Sequence, residues 1–296
     1  GIRIIAYYKE DVDRIGEIII REFDVDWENS IDKAQTLEPD RFGYLSVHYV
    51  VSLSSPRKEL TEWEAFANIK AEIQVRTILQ HAWAEIDHKL TYKAVEEAPK
   101  KLRRRLFRLS ALLELADDEF SNLSKLFEEV EEHYSQELKK GKLDIELDLT
   151  SLDVYLNFTK QHLKWMKIAE EVGYESPEDM LDTSELCEIY FNQLKSDKRK
   201  LLKILYLTGI KTVLELDEIL KDANKWGKVI LARIETLYSH EGPEILFASP
   251  YDVISLLVLY ARKNVVDEKI VKQTEFDDAL QKVIKELIGI EIEIVF

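Results

Sequence analysis

The stretches GYLSVH at residues 43–48 and EIQVRT at residues 72–77 decide the fold of this chain. Polar and apolar side chains alternate in both, and the two-residue period of a β-strand sends alternate side chains to opposite faces of a sheet. Two such strands side by side would build one polar face over an apolar core. The side chains predicted for the polar face are Tyr44, Ser46, His48, Glu72, Gln74 and Arg76.

These six side chains carry functional groups that can bind a ligand or take part in a reaction. An aromatic ring can stack on a base, a carboxamide can make two hydrogen bonds, and a guanidinium matches the shape of phosphate. A carboxylate can hold a metal ion or accept a proton. An ordinary sheet with one solvated face would show the same alternation. The pattern alone therefore leaves a recognition surface and a solvated sheet open.

Three strings in this order resemble the synthetase domain of the RelA/SpoT family. They are GIRII at residues 1–5, GYLSVHYVV at residues 43–51 and AEIQVRTILQHAWAEIDHKLTYK at residues 71–93. The alarmone synthetases of this family transfer pyrophosphate from ATP to the 3′-hydroxyl of GTP or GDP. The resemblance covers residues 1–93 and implies an α+β fold for them, a mixed β-sheet flanked by helices of the nucleotidyltransferase type.

The resemblance also implies a role for each polar residue. Tyr44 would stack on the guanine of the acceptor nucleotide, and Ser46 and His48 would lie near the acceptor's phosphates. Glu72 would be the catalytic carboxylate, which sits at Mg²⁺ and helps to activate the attacking 3′-hydroxyl. Gln74 and Arg76 would complete the same polar face.

The chain departs from the family pattern at two places. Relatives carry a Mg²⁺-binding aspartate three residues before the glycine that corresponds to Gly1, and an ATP-binding R-x-K-S segment further upstream. The sequence starts at Gly1 without an initiator methionine, so we expect an N-terminal part that supplies both. Relatives also carry a lysine shortly before the G-Y pair, where Arg41 would supply the positive charge, and frequently Arg or Gln at Leu45.

These departures leave two alternatives open. In the first, the fold and the chemistry stay the same but the acceptor is the 3′ end of tRNA, as in toxic relatives of the family. In the second, the chain is a non-catalytic regulatory or interaction protein that lacks the ATP-binding segment.

The composition narrows the class of protein. A formal net charge of −16 argues against a general nucleic-acid binder, which needs a broad basic surface. The clearest basic cluster, Lys100 to Arg108, predicts either a solvated helix face or a phosphate-binding patch for nucleotide or tRNA. The single Cys187 excludes an internal disulfide, and no apolar run approaches the length of a membrane span. We expect a cytoplasmic enzyme that uses ATP and GTP or GDP without a membrane; homo-oligomer formation stays open.

Periodicity divides the chain at about residue 93. Before it, the pattern predicts strands at 2–8, 44–53 and 69–76 and helices at 11–23 and 77–92. After a break at 94–99, the spacing predicts an all-α region, residues 94–296, whose first helix has about forty residues and ends at Gly141. The further helices are predicted to start at Ser151 and to span 160–172, 177–195, 198–207, 212–222, 225–239, 250–262 and 275–288.

Overall fold

The computed structural model describes residues 1–32, 46–91, 100–176, 184–241 and 246–289. These residues divide into two compact units, 1–128 and 129–296. The predicted boundary at Lys93 follows the sequence resemblance, whereas the division at residue 128 follows packing. Among the described residues, no helix combines the length and the apolar character that a membrane span requires.

The first unit is built on a mixed β-sheet. Its strands are β1 (Ile2–Ala6), β2 (Phe23–Val25), β3 (Ile31–Asp32), β4 (Val47–Leu53) and β5 (Ala71–Thr77). The order is β1-β5-β4-β2, and β3 also pairs with β4. Strands β1 and β5 are parallel and the other pairs are antiparallel. The predicted mixed sheet is therefore confirmed.

Helix α1 (Lys9–Glu22) closes the apolar face of this sheet. Its Val12 and Ile19 pack with the sheet residues that alternation predicted for the core, and together they exclude water from that face. The core of the first unit consists of Ala6, Val12, Ile19, Tyr49, Val51, Ile73 and Val75. Further helical segments are α2 (Ser55–Lys58), a 3₁₀ turn (Thr61–Phe66) and α3 (Ile78–Thr91).

Thr77 joins the sheet to two helices. Its backbone N–H donates to Oε1 of Gln80 at 2.9 Å, and its hydroxyl accepts the N–H of Gln80 at 3.1 Å, which is a capping box at the start of α3. The same hydroxyl donates to Oδ2 of Asp117 at 2.7 Å. Burial raises the pKa of the Asp117 carboxyl, and the Thr77 hydrogen bond acts in the opposite direction.

Asp117 lies on α4 (Lys100–Lys139), the forty-residue helix that the sequence predicted. Three further contacts attach α4 to the start of α1. The backbone N–H of Lys9 donates to the Ser121 hydroxyl at 3.1 Å, the Lys9 ammonium pairs with Asp118, and Lys125 pairs with Glu10 at 2.6 Å. Since all three fall on residues 118–125, this stretch of α4 belongs with the first unit.

The second unit is helical, as predicted, with one small addition. A two-residue parallel pair joins β6 (Tyr174–Glu175) to β7 (Leu246–Phe247), so the all-α expectation missed a short sheet. Strands of two residues are too short to show a periodic pattern. The helices are α5 (Leu149–Thr159), α6 (Gln161–Glu170), α7 (Ser184–Leu207), α8 (Val213–Ala223), α9 (Gly227–Glu241), α10 (Pro250–Ala261), α11 (Glu268–Lys272) and α12 (Asp278–Ile288).

Helix α7 corrects one sequence prediction. The break predicted between residues 195 and 198 does not occur, because α7 runs without interruption through this stretch. Asp197 is buried, accepts a hydrogen bond from Gln193 at 3.0 Å and pairs with Lys200 at 3.3 Å. Asp197 therefore has partners inside the fold, and a residue type that is typical of helix starts is accommodated in the interior of a helix.

Gly16 gives a test of the sheet packing. A Cβ on Gly16 would lie 2.5 Å from the Tyr49 hydroxyl oxygen. We expect Gly16→Ala to lower the free energy of unfolding by about 1–3 kcal/mol through overpacking, although alanine favours a helix interior by about 1 kcal/mol. Combining it with Tyr49→Phe removes the clashing oxygen, so the second substitution should recover most of the loss. Urea unfolding followed by circular dichroism measures this, and equal losses in both backgrounds would contradict it.

Candidate active site

Three adjacent strands build the polar face of the sheet. In the antiparallel pair β4–β5, His48 lies opposite Gln74, and in the parallel pair β1–β5, Arg3 lies opposite the same Gln74. Because side chains alternate, residues in register with Gln74, or two positions from it on β5, share its face. The polar side chains of this face, which we call the polar face, are those of Arg3, His48, Glu72, Gln74 and Arg76; Ile5 and Val50 lie on the same face. The sequence placed His48, Glu72, Gln74 and Arg76 there correctly.

His48 and Glu72 form the central contact of this face. Nδ1 of His48 lies 2.7 Å from Oε1 of Glu72. Since an ionised carboxylate only accepts hydrogen bonds, Nδ1 is the protonated ring nitrogen when Glu72 is charged. The His48 side chain is 14% exposed and that of Glu72 is 44% exposed. The histidine is thus held by its surroundings, while the carboxylate remains open to a ligand.

The same contact sets the charge of Glu72. The hydrogen bond from His48, with a smaller contribution from Gln74, holds the pKa of the Glu72 carboxyl below its usual range. The group is therefore charged at neutral pH and is a weak base. An exposed carboxylate that is charged at neutral pH suits a metal ion or an electrostatic role better than proton abstraction.

Arg76 and Ser46 are less accessible than the sequence suggested. Arg76 is only 2% exposed and Ser46 only 3%. Ser46 lies immediately before β4, and Arg76 lies opposite Ile5 in the register of β1 and β5. The alternation gave the face of Arg76 correctly, but it could not show that other parts of the chain cover the side chain. Two further predicted site residues, Tyr44 and Arg41, lie outside the described residues.

Arg3 is a member of this face that sequence reasoning did not single out. Its guanidinium lies 3.3 Å from Oε1 of Glu85 on α3, and both side chains are about half exposed. Exposed ion pairs of this kind contribute little to stability, so the guanidinium can exchange Glu85 for another anion at small cost. The available signal was the placement of Arg3 between Ile2 and Ile4, which is the same alternation that marked β4 and β5.

The start of β1 lies beside Glu72. A Cβ on Gly1 would be 3.3 Å from the carbonyl oxygen of Glu72 and 3.9 Å from its Oε2. Among the described residues, no group of three or more His, Cys, Asp and Glu side chains could hold a metal ion. Mg²⁺ commonly binds through one or two carboxylates together with waters and substrate phosphates. The single open carboxylate of Glu72 fits that mode of binding, and it does not fit a metal site made of protein ligands alone.

Comparison with known proteins gives this face a family context. Residues 1–97 match the family model of the region found in RelA and SpoT proteins. Two curated relatives are GTP pyrophosphokinases of Bacillus subtilis (strain 168). YwaC is 28% identical over 125 residues, which are 42% of this chain and 56% of YwaC. YjbM is 29% identical over 142 residues, which are 48% of this chain and 63% of YjbM. The chain thus spans less than two thirds of the length of either relative.

Solved structures include small alarmone synthetase 1 from Bacillus subtilis bound to its product pppGpp. It is 27% identical, with a TM-score of 0.34, and the match covers 42% of this chain and 60% of that chain. Small alarmone synthetase 2 from the same organism is also 27% identical, with a TM-score of 0.34 and coverage of 42% and 63%. The range of the family model, residues 1–97, includes all residues of the polar face. Residues 1–97 of this chain are therefore similar to the region found in RelA and SpoT proteins.

Proposed function

We propose that the protein is a GTP pyrophosphokinase, which transfers pyrophosphate from ATP to the 3′-hydroxyl of GTP or GDP and so makes the alarmone (p)ppGpp. The observation that carries the proposal is the His48–Glu72 pair, an open and charged carboxylate on the polar face of a region similar to that of RelA and SpoT proteins. The names of the two curated relatives support the same activity. ATP and GTP as substrates favour a cytoplasmic location.

The reaction explains why the face carries both a carboxylate and cations. The 3′-oxygen of the acceptor forms a bond to the β-phosphorus of ATP, and the bond from that phosphorus to the oxygen shared with the α-phosphate breaks. AMP leaves, and the proton of the 3′-hydroxyl passes to solvent. Catalysis of such a transfer is mostly positioning and neutralisation of negative charge. A protein nucleophile is not needed.

Each residue of the face then has a task. Glu72 is the residue that would hold Mg²⁺, and bound Mg²⁺ neutralises phosphate charge and orients the phosphates. His48 keeps Glu72 charged and fixed in position through the 2.7 Å hydrogen bond. Arg3 is placed to bind a phosphate in exchange for Glu85, and Gln74 adds a second hydrogen bond to the Glu72 carboxylate.

Glu72→Gln tests the carboxylate. We expect this variant to fold normally but to lose pyrophosphate transfer by about 100-fold or more, because the charge disappears while the shape is kept. The measurement is product formation from γ-labelled ATP by the full-length protein with GTP or GDP. Glu17→Gln, which neutralises an exposed glutamate of α1, is the matched control and should be fully active. Undiminished activity of Glu72→Gln would refute the assignment.

His48→Ala tests the pKa of Glu72. Removing the hydrogen bond raises the pKa of the Glu72 carboxyl towards its usual value, so the charged form is lost at a higher pH during acidification. We therefore expect the acid limb of the kcat/KM profile to move to higher pH. His48→Asn can keep an N–H donor near the position of Nδ1, and its limb should stay closer to that of the parent. Identical profiles for both variants would count against the pair.

Tyr44→Ala tests the acceptor. If the ring stacks on guanine, as the family resemblance implies, its removal should weaken use of GTP or GDP by about 10- to 100-fold, while ATP affinity hardly changes. The assay compares GTP, GDP and tRNA as acceptors with the parent protein as reference. Labelling of tRNA 3′ ends with GTP ignored would favour the tRNA alternative. The absence of transfer to any acceptor by the full-length parent would favour a non-catalytic protein.

A further inference from the structure

Helix α4 makes two hydrogen bonds beside the C-terminal ends of the parallel strands β1 and β5. Ala6, the last residue of β1, lies opposite Thr77, the last residue of β5. The Thr77 hydroxyl donates to Oδ2 of Asp117 at 2.7 Å, and both residues are buried. The hydroxyl of Ser121, which is also buried, accepts the backbone N–H of Lys9 at 3.1 Å, at the start of α1. One helix thus holds the end of β5 and the start of α1 by separate contacts.

The Asp117 carboxyl destabilises the fold at the place where it lies. Asp117 is 2% exposed, and among the described residues its Oδ1 has no hydrogen-bond partner. It borders a cavity of about 20 Å³, lined also by Leu79, Trp83 and Leu113, with room for about one water molecule. Burial raises the pKa of the carboxyl, which means that the fold disfavours its charged form. Stability alone therefore favours a neutral side chain here, and the carboxyl needs another explanation.

The carboxyl holds the point at which β5 ends and α3 begins. The Thr77 hydroxyl has one hydrogen to donate, which Asp117 accepts, and its oxygen accepts the backbone N–H of Gln80 at 3.1 Å. The backbone N–H of Thr77 donates to Oε1 of Gln80 at 2.9 Å. Because the hydroxyl both donates and accepts, its orientation is fixed. Asp117 and Gln80 together therefore determine the geometry of this junction.

Both arginines of the polar face are connected to this junction. Arg76 directly precedes Thr77 on β5. Helix α3 starts directly after Thr77 and carries Glu85, which lies 3.3 Å from the guanidinium of Arg3. Glu72, by contrast, lies five residues before Thr77, about 17 Å along a strand, and the core residues between them hold the middle of β5. A change at Thr77 should therefore reach the two arginines more than it reaches Glu72.

We propose that Asp117 is a positioning residue for the candidate site. Through Thr77 it fixes the end of β5 and the start of α3, and so keeps the guanidinium groups of Arg76 and Arg3 where they neutralise nucleotide phosphates. Asp117 acts through Thr77 and is not in contact with the substrate. This role rests on the proposed pyrophosphate transfer. Loss of the Asp117–Thr77 hydrogen bond then weakens nucleotide binding and leaves the chemical step, which depends on Glu72, nearly unchanged.

Asp117→Ala in the full-length protein tests this role. We expect KM for ATP and GTP to rise by about tenfold while kcat stays within about threefold of the parent, because binding is weakened and Glu72 is unaffected. Asp117→Asn keeps an oxygen that can accept the Thr77 hydroxyl, so its KM should stay within about threefold of the parent. Each variant is assayed at a temperature at which circular dichroism shows it fully folded. Parental KM values in Asp117→Ala, or a loss confined to kcat, would overturn the proposal.

Ser121→Ala is the matched control. It removes the other hydrogen bond of this part of α4, to the backbone N–H of Lys9, and leaves the Asp117–Thr77 bond in place. We expect a lower melting temperature with parental KM, because a buried hydrogen bond is lost at a point that does not adjoin the arginines. An equal rise of KM in Ser121→Ala would show that any loosening of α4 has the same effect, and Asp117 would then have no specific role.

Substitutions of Thr77 test the route from Asp117 to the site. Thr77→Ser keeps the hydroxyl and should behave like the parent, whereas Thr77→Val loses it and should raise KM about as much as Asp117→Ala. The double variant with Thr77→Val and Asp117→Ala should show no further rise, since the two groups act as one unit. A rise of about 100-fold, the product of two independent effects, would show that Asp117 does not act through Thr77. Thr77→Val also decides the case in which Asp117→Ala fails to fold.

The activity of the parent separates the two proposals. If the parent transfers pyrophosphate and KM is unchanged in Asp117→Ala and Thr77→Val, the positioning role is refuted and the proposed function stands. If the parent transfers to no acceptor, the proposed function is refuted, and the positioning role that rests on it falls as well.

Discussion

The register of β4 on β5 is the constraint on which the candidate site depends. Tyr49 lies opposite Ile73 and Val47 opposite Val75, and these four residues pack on or against the core under α1. A slip of one residue would turn every apolar side chain of β4 to the other face. The burial of this core therefore forces His48 onto the same face as Glu72 and Gln74. Core packing, rather than attraction between the polar groups, brings the site residues together.

Once the strands have placed the polar groups side by side, hydrogen bonds among these groups stabilise the charged form of Glu72. His48 and Gln74 hold the Glu72 carboxylate by hydrogen bonds before any ligand arrives, and both lower its pKa. A charge that is already fixed does not have to reorganise during a reaction, and this is the main advantage of a protein site over water. The low pKa also separates two roles that the family resemblance joined, because a carboxylate that is a weak base supports a metal ion better than it removes a proton.

Prediction from the sequence succeeded where a periodic pattern extends over enough residues to identify a strand or a helix. The alternation in β4 and β5 gave the polar face, and the three- and four-residue spacing gave α4 with its end near Gly141. It failed where burial is decided by distant parts of the chain. Arg76 is covered although its strand pattern resembles that of Gln74, and Asp197 continues α7 because Lys200 and Gln193 satisfy it. Arg3 was missed because β1 offers only a few residues of alternation.

Helix α4 reverses the usual arrangement of an amphipathic helix, because Ser110, Asp117 and Ser121 are buried while several of its large apolar side chains are exposed. The buried Asp117 carboxyl of this helix accepts a hydrogen bond from the Thr77 hydroxyl, whereas Leu109, Leu112, Leu115 and Leu126 are more than half exposed. Leucines that remain exposed add little to the stability of the fold, since hydrophobic stabilisation follows the apolar area removed from water. Thr77 ends β5, the strand that carries Glu72 and Gln74. One buried hydrogen bond therefore connects α4 directly to the strand that carries the candidate site.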